Sequence, residues 1–277
     1  MDNPRIPRIK VPKKGIIPAP AINLAREKYE EAGVLILDSI LPASYIDQLR
    51  EAFLADYEKQ VRKKEQRFAS EVGDKRVMLS VDVEGLFNQQ RLFANRYAYP
   101  VLCRLLGNEM ILNAFNAVTS LPGSRIQHLH ADHPELFWDA SLDDVMPPFC
   151  VTMAVPLVDL NAETGTTRFY PGSQKRTNDT SPKTPYFDPE VSRGSAILFD
   201  SRIRHRGLAN KSNAPRPVLY FIFARPWFRD YVNYDFDQAL RITRKEFDKV
   251  RPKYQHLFDW LMVKGRKRKR KPSPPQS

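Results

Sequence analysis

Between residues 109 and 223 the chain is written in six short runs, 109–120, 125–130, 149–158, 166–170, 195–199 and 217–223. They are rich in Val, Ile, Phe, Tyr and Thr and are separated by Pro-Gly, Asn and Ser clusters. Runs of this length with turn chemistry between them are strand signals. Val77, Leu79, Val81 and Val83, alternating with Met78, Ser80 and Asp82, add a further one. Helical spacing lies mainly outside this block: Ile22 to Ala32, about Ala43 to Arg67 and about Asn88 to Leu106 before it, and Asp235 to about Val263 after it. Pro100 should kink or restart the third helical stretch, and the short apolar run Val34 to Leu37 reads as one more strand. This order fits a mainly β fold with flanking helices, a sandwich or barrel, and not a βαβ repeat.

The charge is distributed in a way that limits what it can mean. The chain of 277 residues has a formal net charge of +12, but residues 1–14 hold five basic residues against one acid, and residues 264–277 hold seven against none. That leaves 32 basic and 31 acidic residues between 15 and 263, so the body is neutral and the ends are basic. A flexible, Pro-rich arm is expected over 1–20, a single domain over 21–263 and a disordered basic tail over 264–277. The run Arg266 to Lys271 is a candidate for weak contact with nucleic acid or another anionic surface, but no aromatic residue is interleaved in it to stack on bases. Two cysteines, Cys103 and Cys150, exclude a disulfide framework. No run approaches 18 apolar residues, so no membrane span is expected, and the chain reads as cytoplasmic, with a nuclear location open to a eukaryotic chain through its basic run.

Three of the five histidines fall within six residues, in Gln127-His128-Leu129-His130-Ala131-Asp132-His133. In an extended segment His128, His130 and Asp132 share a face. Neighbours two apart on a strand are about 6.6 Å apart and residues four apart about 13 Å, whereas metal–ligand bonds span about 2.0–2.2 Å. One ion can therefore take His128 with His130, or His130 with Asp132, but not His128 with Asp132 unless the chain bends. A third ligand must come from afar. His256 lies in a helical stretch beside apolar residues, where packing is its expected role, while His205 follows a strand. His130, Asp132 and His205 would make two imidazoles and a carboxylate, the set that leaves positions open on non-haem Fe(II).

The motifs in this order resemble the phytanoyl-CoA dioxygenase family of Fe(II)- and 2-oxoglutarate-dependent oxygenases, over about Gly33 to Phe228. His130-Ala-Asp132 is similar to its HxD pair. Asn161-Ala-Glu-Thr-Gly165 followed by Tyr170-Pro-Gly-Ser-Gln174 is similar to its ENG…PGSH hairpin. His205-Arg-Gly207-x-x-Asn210-x-Ser212-x-x-x-Arg216 is similar to its distal histidine and the arginine eleven residues on. The resemblance implies a double-stranded β-helix (jelly roll, cupin-like) and Fe(II) held by His130, Asp132 and His205 as the catalytic centre. It implies 2-oxoglutarate and O2 as cosubstrates, and hydroxylation of a small organic molecule with succinate and CO2 as co-products. Related halogenases lack the metal-binding carboxylate, and Asp132 is present. Residues 207–215 can turn the chain back, so that Arg216 opens a strand antiparallel to the one before His205. Its guanidinium could then grip the distal carboxylate of the oxo acid as a fork, with Arg125, Arg193 and Arg225 as rivals.

Two positions depart from the family pattern. Gln174 replaces a histidine, a change expected to affect only the turn. Gly207 stands where several relatives carry a serine that touches the cosubstrate, and Thr152 is the substitute named for that contact. Asn113 is a further candidate to face the pocket, and Phe137 and Trp138 to line its entrance.

Two other classes compete. His128-Leu-His130-Ala-Asp132-His133 also matches HxHxDH, the signature of metallo-β-lactamase-like zinc hydrolases, but Pro134-Glu135 follows where that fold expects a glycine-containing helix start. The second is a non-catalytic protein acting through its basic tails. The substrate itself, and the oligomeric state, are not legible.

Overall fold

A computed structural model describes residues 6–12, 15–63, 69–133, 136–137, 139–175, 184–230, 232–233 and 239–262. Its main sheet has eight strands in the order β1 (Arg8–Lys10), β2 (Val34–Asp38), β8 (Ala196–Asp200), β6 (Cys150–Pro156), β10 (Arg216–Ala224), β5 (Ile111–Ser120), β4 (Arg76–Ser80) and β3 (Ala69–Glu71). All neighbours are antiparallel except β1 and β2. A smaller sheet pairs β7 (Thr167–Phe169) with β9 (His205–Gly207). Single bridges widen it, Phe187 on the β7 side and His130 on the β9 side. The result is the jelly roll that the resemblance implies, within the sandwich-or-barrel class read from the strand pattern.

The strands read as near-continuous apolar runs because both faces of the main sheet are covered. Leu35, Leu37, Met153, Leu198, Leu219, Phe221 and Phe223 point to one face, where they pack against the helices. There α1 (Ala19–Ala32) contributes Ala25 and Tyr29. α2 (Ala43–Lys63) contributes Ile46, Leu49, Phe53 and Tyr57, at the three- and four-residue spacing of a helical stripe. Val34, Ile36, Ala154, Ile197, Phe199 and Val218 take the other face and meet Phe169 of the smaller sheet. The two sheets therefore close over a space, and the site lies in it.

The third helical stretch breaks where the chemistry requires. After α3 (Gln90–Phe93), Asn95 Oδ1 accepts from the backbone N–H of Tyr97 and of Ala98, capping the start of α4 (Ala98–Leu106). Pro100 thus falls in the first turn, where its missing N–H has no intrahelical partner to lose. Gln174 does more than shape a turn: its amide donates to Glu30 O (3.1 Å) and Glu31 O (3.2 Å), satisfying carbonyls at the end of α1.

Several expectations need correction. The segment 125–130 forms no ladder beyond the bridge at His130, because its polar side chains and backbone reach in several directions. β10 does not pair with β8, the strand before His205. Both are antiparallel to β6, which lies between them, so β8 and β10 run parallel, and residues 208–215 cross from the smaller sheet to the main one. Asn113 is buried at the bulge where the β5–β10 register shifts, away from the cavity. Part of the stretch read as an arm contributes to the fold. β1 adds to the edge of β2, Arg8 forks onto Asp38 at 2.6 and 3.1 Å, and Ile6 and Ile17 are buried. The ladder of an edge pairing uses backbone groups, and a three-residue strand with one ion pair and isolated buried isoleucines beside it carries no apolar period to announce it. The end of the second helix expected from sequence, Trp138 and the basic block 264–277 lie outside the described residues. No described helix is long and apolar enough to cross a membrane.

The stacked pair Phe115 and Phe221, with centroids 4.3 Å apart, joins β5 to β10 on the helix-covered face. Phe221→Ala should lower unfolding free energy by about 3–5 kcal/mol, read as a reduced urea midpoint with an unchanged m-value.

Candidate metal centre

Two backbone hydrogen bonds build the centre. His130 N donates to His205 O at 3.0 Å and His205 N to His130 O at 2.8 Å. Residues that exchange both bonds stand directly opposite and project to the same side, and the two imidazole centroids are 4.5 Å apart. Beyond His130 the chain bends, tied by His133 N to Ser201 O (3.1 Å) and by the Asn233 amide to Asp132 O (2.6 Å). The bend returns the Asp132 carboxylate, with Oδ1 3.4 Å from His205 Nε2 and 3.9 Å from His130 Nε2.

The donor atoms of His130, Asp132 and His205 lie within 4.8 Å of one another, and this is the group among the described residues that could hold a metal ion. The outer nitrogens are already committed. His130 Nδ1 is 3.0 Å from His128 O and His205 Nδ1 is 3.0 Å from Ile203 O. A carbonyl only accepts, so each Nδ1 carries a proton and each Nε2 is the nitrogen left to face Asp132 and to take a metal once it is deprotonated. Phe199 and Phe169 flank the His205 ring at 5.1 and 5.8 Å and fix its plane. Burial, helped by the charge of His205, holds His130 below its ordinary pKa. Burial opposes both charges of the His205–Asp132 pair, but their mutual attraction and hydrogen bond outweigh it, raising His205 and lowering Asp132.

The centre opens into a cavity of about 420 Å³. Its far end is set by one row of the main sheet. Arg76 on β4, Ser120 on β5 and Arg216 on β10 are register partners, so the two arginines flank a serine. Arg216 Nη2 donates to Ser120 Oγ at 2.7 Å, and its Nη1 donates to Thr164 O (3.2 Å) and Leu208 O (3.3 Å). Arg76 Nε donates to the same Ser120 Oγ at 3.0 Å. Its Nη2 reaches Leu208 O (2.7 Å) and Gly207 O (3.4 Å), and its Nη1 reaches Arg125 O. Burial pushes Arg216 down to about 10, with Arg76 adding to the fall, and burial also lowers Arg76. Both remain cations at neutral pH.

The glycine-containing loop explains how Arg216 fits. Gly165 has φ +80°, and a Cβ there would lie 2.4 Å from Ala209 O and 2.5 Å from Arg216 Nη1. The crossing 208–215 is stapled by the fully buried Asn210, which donates to Ser120 O and Ala214 O and accepts from Ser212. Tyr220, four residues beyond Arg216 on the same face of β10, also lines the cavity. Burial raises its hydroxyl pKa while Arg216 and Asp132 act on it in opposite directions, which places it between the two ends.

Thr152 is buried on β6 and lines the cavity. The place left by Gly207 is taken by Gln127, whose Oε1 accepts from Gly207 N (3.0 Å) while Nε2 donates to Val72 O (2.7 Å). The rival anchors lie elsewhere: Arg193 pairs with Asp159 and Asp47, Arg225 donates to Pro148 O and Leu105 O, and neither they nor Arg125 line the cavity. His128 lines it near His130, but His133 packs edge-on against Phe228 at 4.9 Å and lies outside the metal-capable group, so the HxHxDH reading is not assembled. Phe137 is 40% exposed. His256 is half-buried, its Nε2 3.2 Å from Tyr99 Oη. Arg76, Gln127 and Tyr220 escaped the sequence reading. The alternation from Val77 to Val83 carried part of the signal, since it puts Arg76 on the face of Met78 and Ser80, away from the core.

The family model for phytanoyl-CoA dioxygenase (PhyH) matches residues 29–218. Dioxygenase trt7 of Aspergillus terreus is 23% identical over 253 residues, covering 87% of this chain and 85% of its own. Dioxygenase ALT11 of Alternaria alternata is 24% identical over 244 residues, covering 80% of each. Among solved structures, HygX from Streptomyces hygroscopicus, with nickel and 2-oxoglutarate bound, superposes with TM-score 0.55 at 18% identity over 75% of this chain and 89% of its own. The non-heme α-ketoglutarate-dependent epimerase SnoN from nogalamycin biosynthesis does so with TM-score 0.56 at 16% identity over 80% and 95%.

A Cβ at position 207 would lie 2.5 Å from Gln127 Oε1. Gly207→Ser should therefore destabilise the protein by about 1–3 kcal/mol through overpacking. Adding Gln127→Ala should recover part of that loss, a non-additivity measurable by urea denaturation of both single variants and the double one.

Proposed function

Because the chain belongs to the phytanoyl-CoA dioxygenase family, we propose that it is an Fe(II)- and 2-oxoglutarate-dependent dioxygenase. In this reading it hydroxylates an unactivated C–H bond of a small organic substrate and releases succinate and CO2. The observation that supports this most is the pairing of two ends in one cavity: two imidazoles and a carboxylate at one, buried guanidiniums at the other. The fit to the iron is chemical. With each Nδ1 held by a backbone carbonyl, both Nε2 atoms face the Asp132 carboxylate, and two imidazoles with one carboxylate are a donor set that leaves positions open on Fe(II). Bound there, Fe(II) with 2-oxoglutarate and O2 supplies the oxidising power for C–H cleavage, coupled to decarboxylation of the oxo acid.

The side chains hold, orient and shield. His130 and His205 ligate through Nε2, kept in that tautomer by the carbonyls of His128 and Ile203. Asp132 supplies the anionic ligand. Arg216 uses three of its five N–H groups on Thr164 O, Leu208 O and Ser120 Oγ. Its Nε–H and one Nη2–H are left for the distal carboxylate. Thr152 is the proposed second polar contact to the oxo acid. Leu160, Val218 and Ile222 add apolar wall to the same cavity, which lowers the local dielectric and strengthens the charges inside. The presence of Asp132 favours hydroxylation over halogen transfer.

Anaerobic addition of Fe(II) and 2-oxoglutarate to the purified protein should give the weak visible band of an iron-chelated oxo acid. His205→Ala and Asp132→Ala should each abolish the band and drop succinate formation to background. Zinc-supported ester hydrolysis with no such band would overturn the assignment. For a turned-over substrate, a product one oxygen atom heavier, labelled from 18O2, marks hydroxylation. A product of unchanged mass would mark the epimerase chemistry of SnoN instead. Arg216→Met should raise the 2-oxoglutarate KM by about tenfold or more, the loss of a charge-assisted fork, with a smaller change in kcat.

A further inference from the structure

Arg76 has no part in the motifs that carry the family resemblance, yet it is 1% exposed at the same end of the cavity as Arg216. Every hydrogen bond the two arginines make runs to a carbonyl or to Ser120 Oγ. No carboxylate lies within ion-pair distance of either among the described residues; Asp74 acts on Arg76 only through space, and its Oδ2 accepts from the backbone N–H of Arg125. Two buried like charges with no carboxylate in contact are costly, and a merely structural tie between these loops could be made by a neutral amide at lower cost. The arrangement is therefore one that awaits an anion.

The N–H inventory separates their roles. Arg76 has committed four of its five N–H groups to Ser120 Oγ, Arg125 O, Gly207 O and Leu208 O. Through them it joins β4 to the segment leading into His130 and to the one leaving His205. It shares two acceptors with Arg216, Ser120 Oγ and Leu208 O. Ser120 stands between them in register, and its short side chain leaves both guanidiniums room to converge on one oxygen.

We propose that Arg76 is a positioning residue for the oxo acid: it holds Ser120 and Leu208 so that the Arg216 guanidinium keeps its two unused N–H groups directed into the cavity, and it adds the second positive charge that makes this end select a dianion. This rests on the 2-oxoglutarate reading above and extends it to a residue on a different strand.

The test titrates the anaerobic Fe(II)-loaded protein with 2-oxoglutarate and with 2-oxobutyrate, which has the same chelating head but no distal carboxylate, reading dissociation constants by calorimetry. Arg76→Met should raise the 2-oxoglutarate constant by about tenfold or more, the equivalent of one charge-assisted hydrogen bond, and leave the 2-oxobutyrate constant within about twofold. Ser120→Ala, which cuts the bridge without touching charge, should shift the same ratio in the same direction by a smaller factor. If Arg76→Met does not fold, Arg76→Lys serves in its place: it keeps the charge but cannot hold four acceptors, and should give an intermediate loss for 2-oxoglutarate alone. Equal weakening of both oxo acids, or of neither, overturns the proposal. If Arg216→Met weakens 2-oxoglutarate while the Arg76 variants do not, Arg76 has no such role and the function assignment stands. If the unaltered protein binds neither oxo acid, both readings fall together.

Discussion

The reciprocal backbone bonds between His130 and His205 are the constraint on which the rest of the centre depends. They join a segment that otherwise makes no ladder to the edge of the smaller sheet, and they set two imidazoles side by side although 75 residues separate them in the chain. With that pairing in place, the carbonyls of His128 and Ile203, each two residues before its histidine, fix both tautomers. Asp132 is brought in by a bend that a regular strand would not have allowed, since residues two apart on a strand stand about 6.6 Å from each other.

The second organising fact is that the main sheet is apolar on both faces but not along its whole length. Helices cover one face throughout. The other meets the smaller sheet around Phe169 and Phe199, and where that packing stops, the rows of β4, β5 and β10 turn their inward positions to polar use: Arg76, Ser120 and Arg216 in one row, Asn116 and Tyr220 in another. Since Arg216 and Tyr220 are four residues apart on one strand, about 13 Å of the cavity wall from the arginine end towards the metal centre is set by strand geometry and not by flexible loops. The crossing 208–215, stapled by Asn210, carries the chain from the histidine end to the arginine end.

Much of this was legible. The alternation and turn chemistry marked β4, β5, β6, β7, β8 and β10 because each buries at least one face and carries the apolar residues to do so. β1, β3 and β9 were not read as strands. They are three residues long, as β7 is, but none sits in a longer run of strand-forming residues like Thr166 to Tyr170 that would mark it. The pairing of β10 was misread because a turn between two strands suggests a hairpin, whereas here the turn changes sheets. Gln174 and Gly207 stood out as departures from a pattern, but their compensation, a helix cap in one case and the Gln127 amide in the other, involves residues some 144 and 80 positions away.

The sequence alone determined the fold class, the approximate strands and helices, and His130, Asp132 and His205 as residues to watch, because those depend on local period and on side-chain chemistry at fixed spacing; Arg216 joined them through the family resemblance. Tertiary structure decided which of the three clustered histidines stands with Asp132 and His205, which arginines reach the cavity, and that Arg76 joins Arg216 there. The physical reason is that those outcomes are set by register between strands distant in sequence. The difference between a surface cation and a buried, serine-bridged one lies in what the neighbouring strand presents and not in the arginine itself.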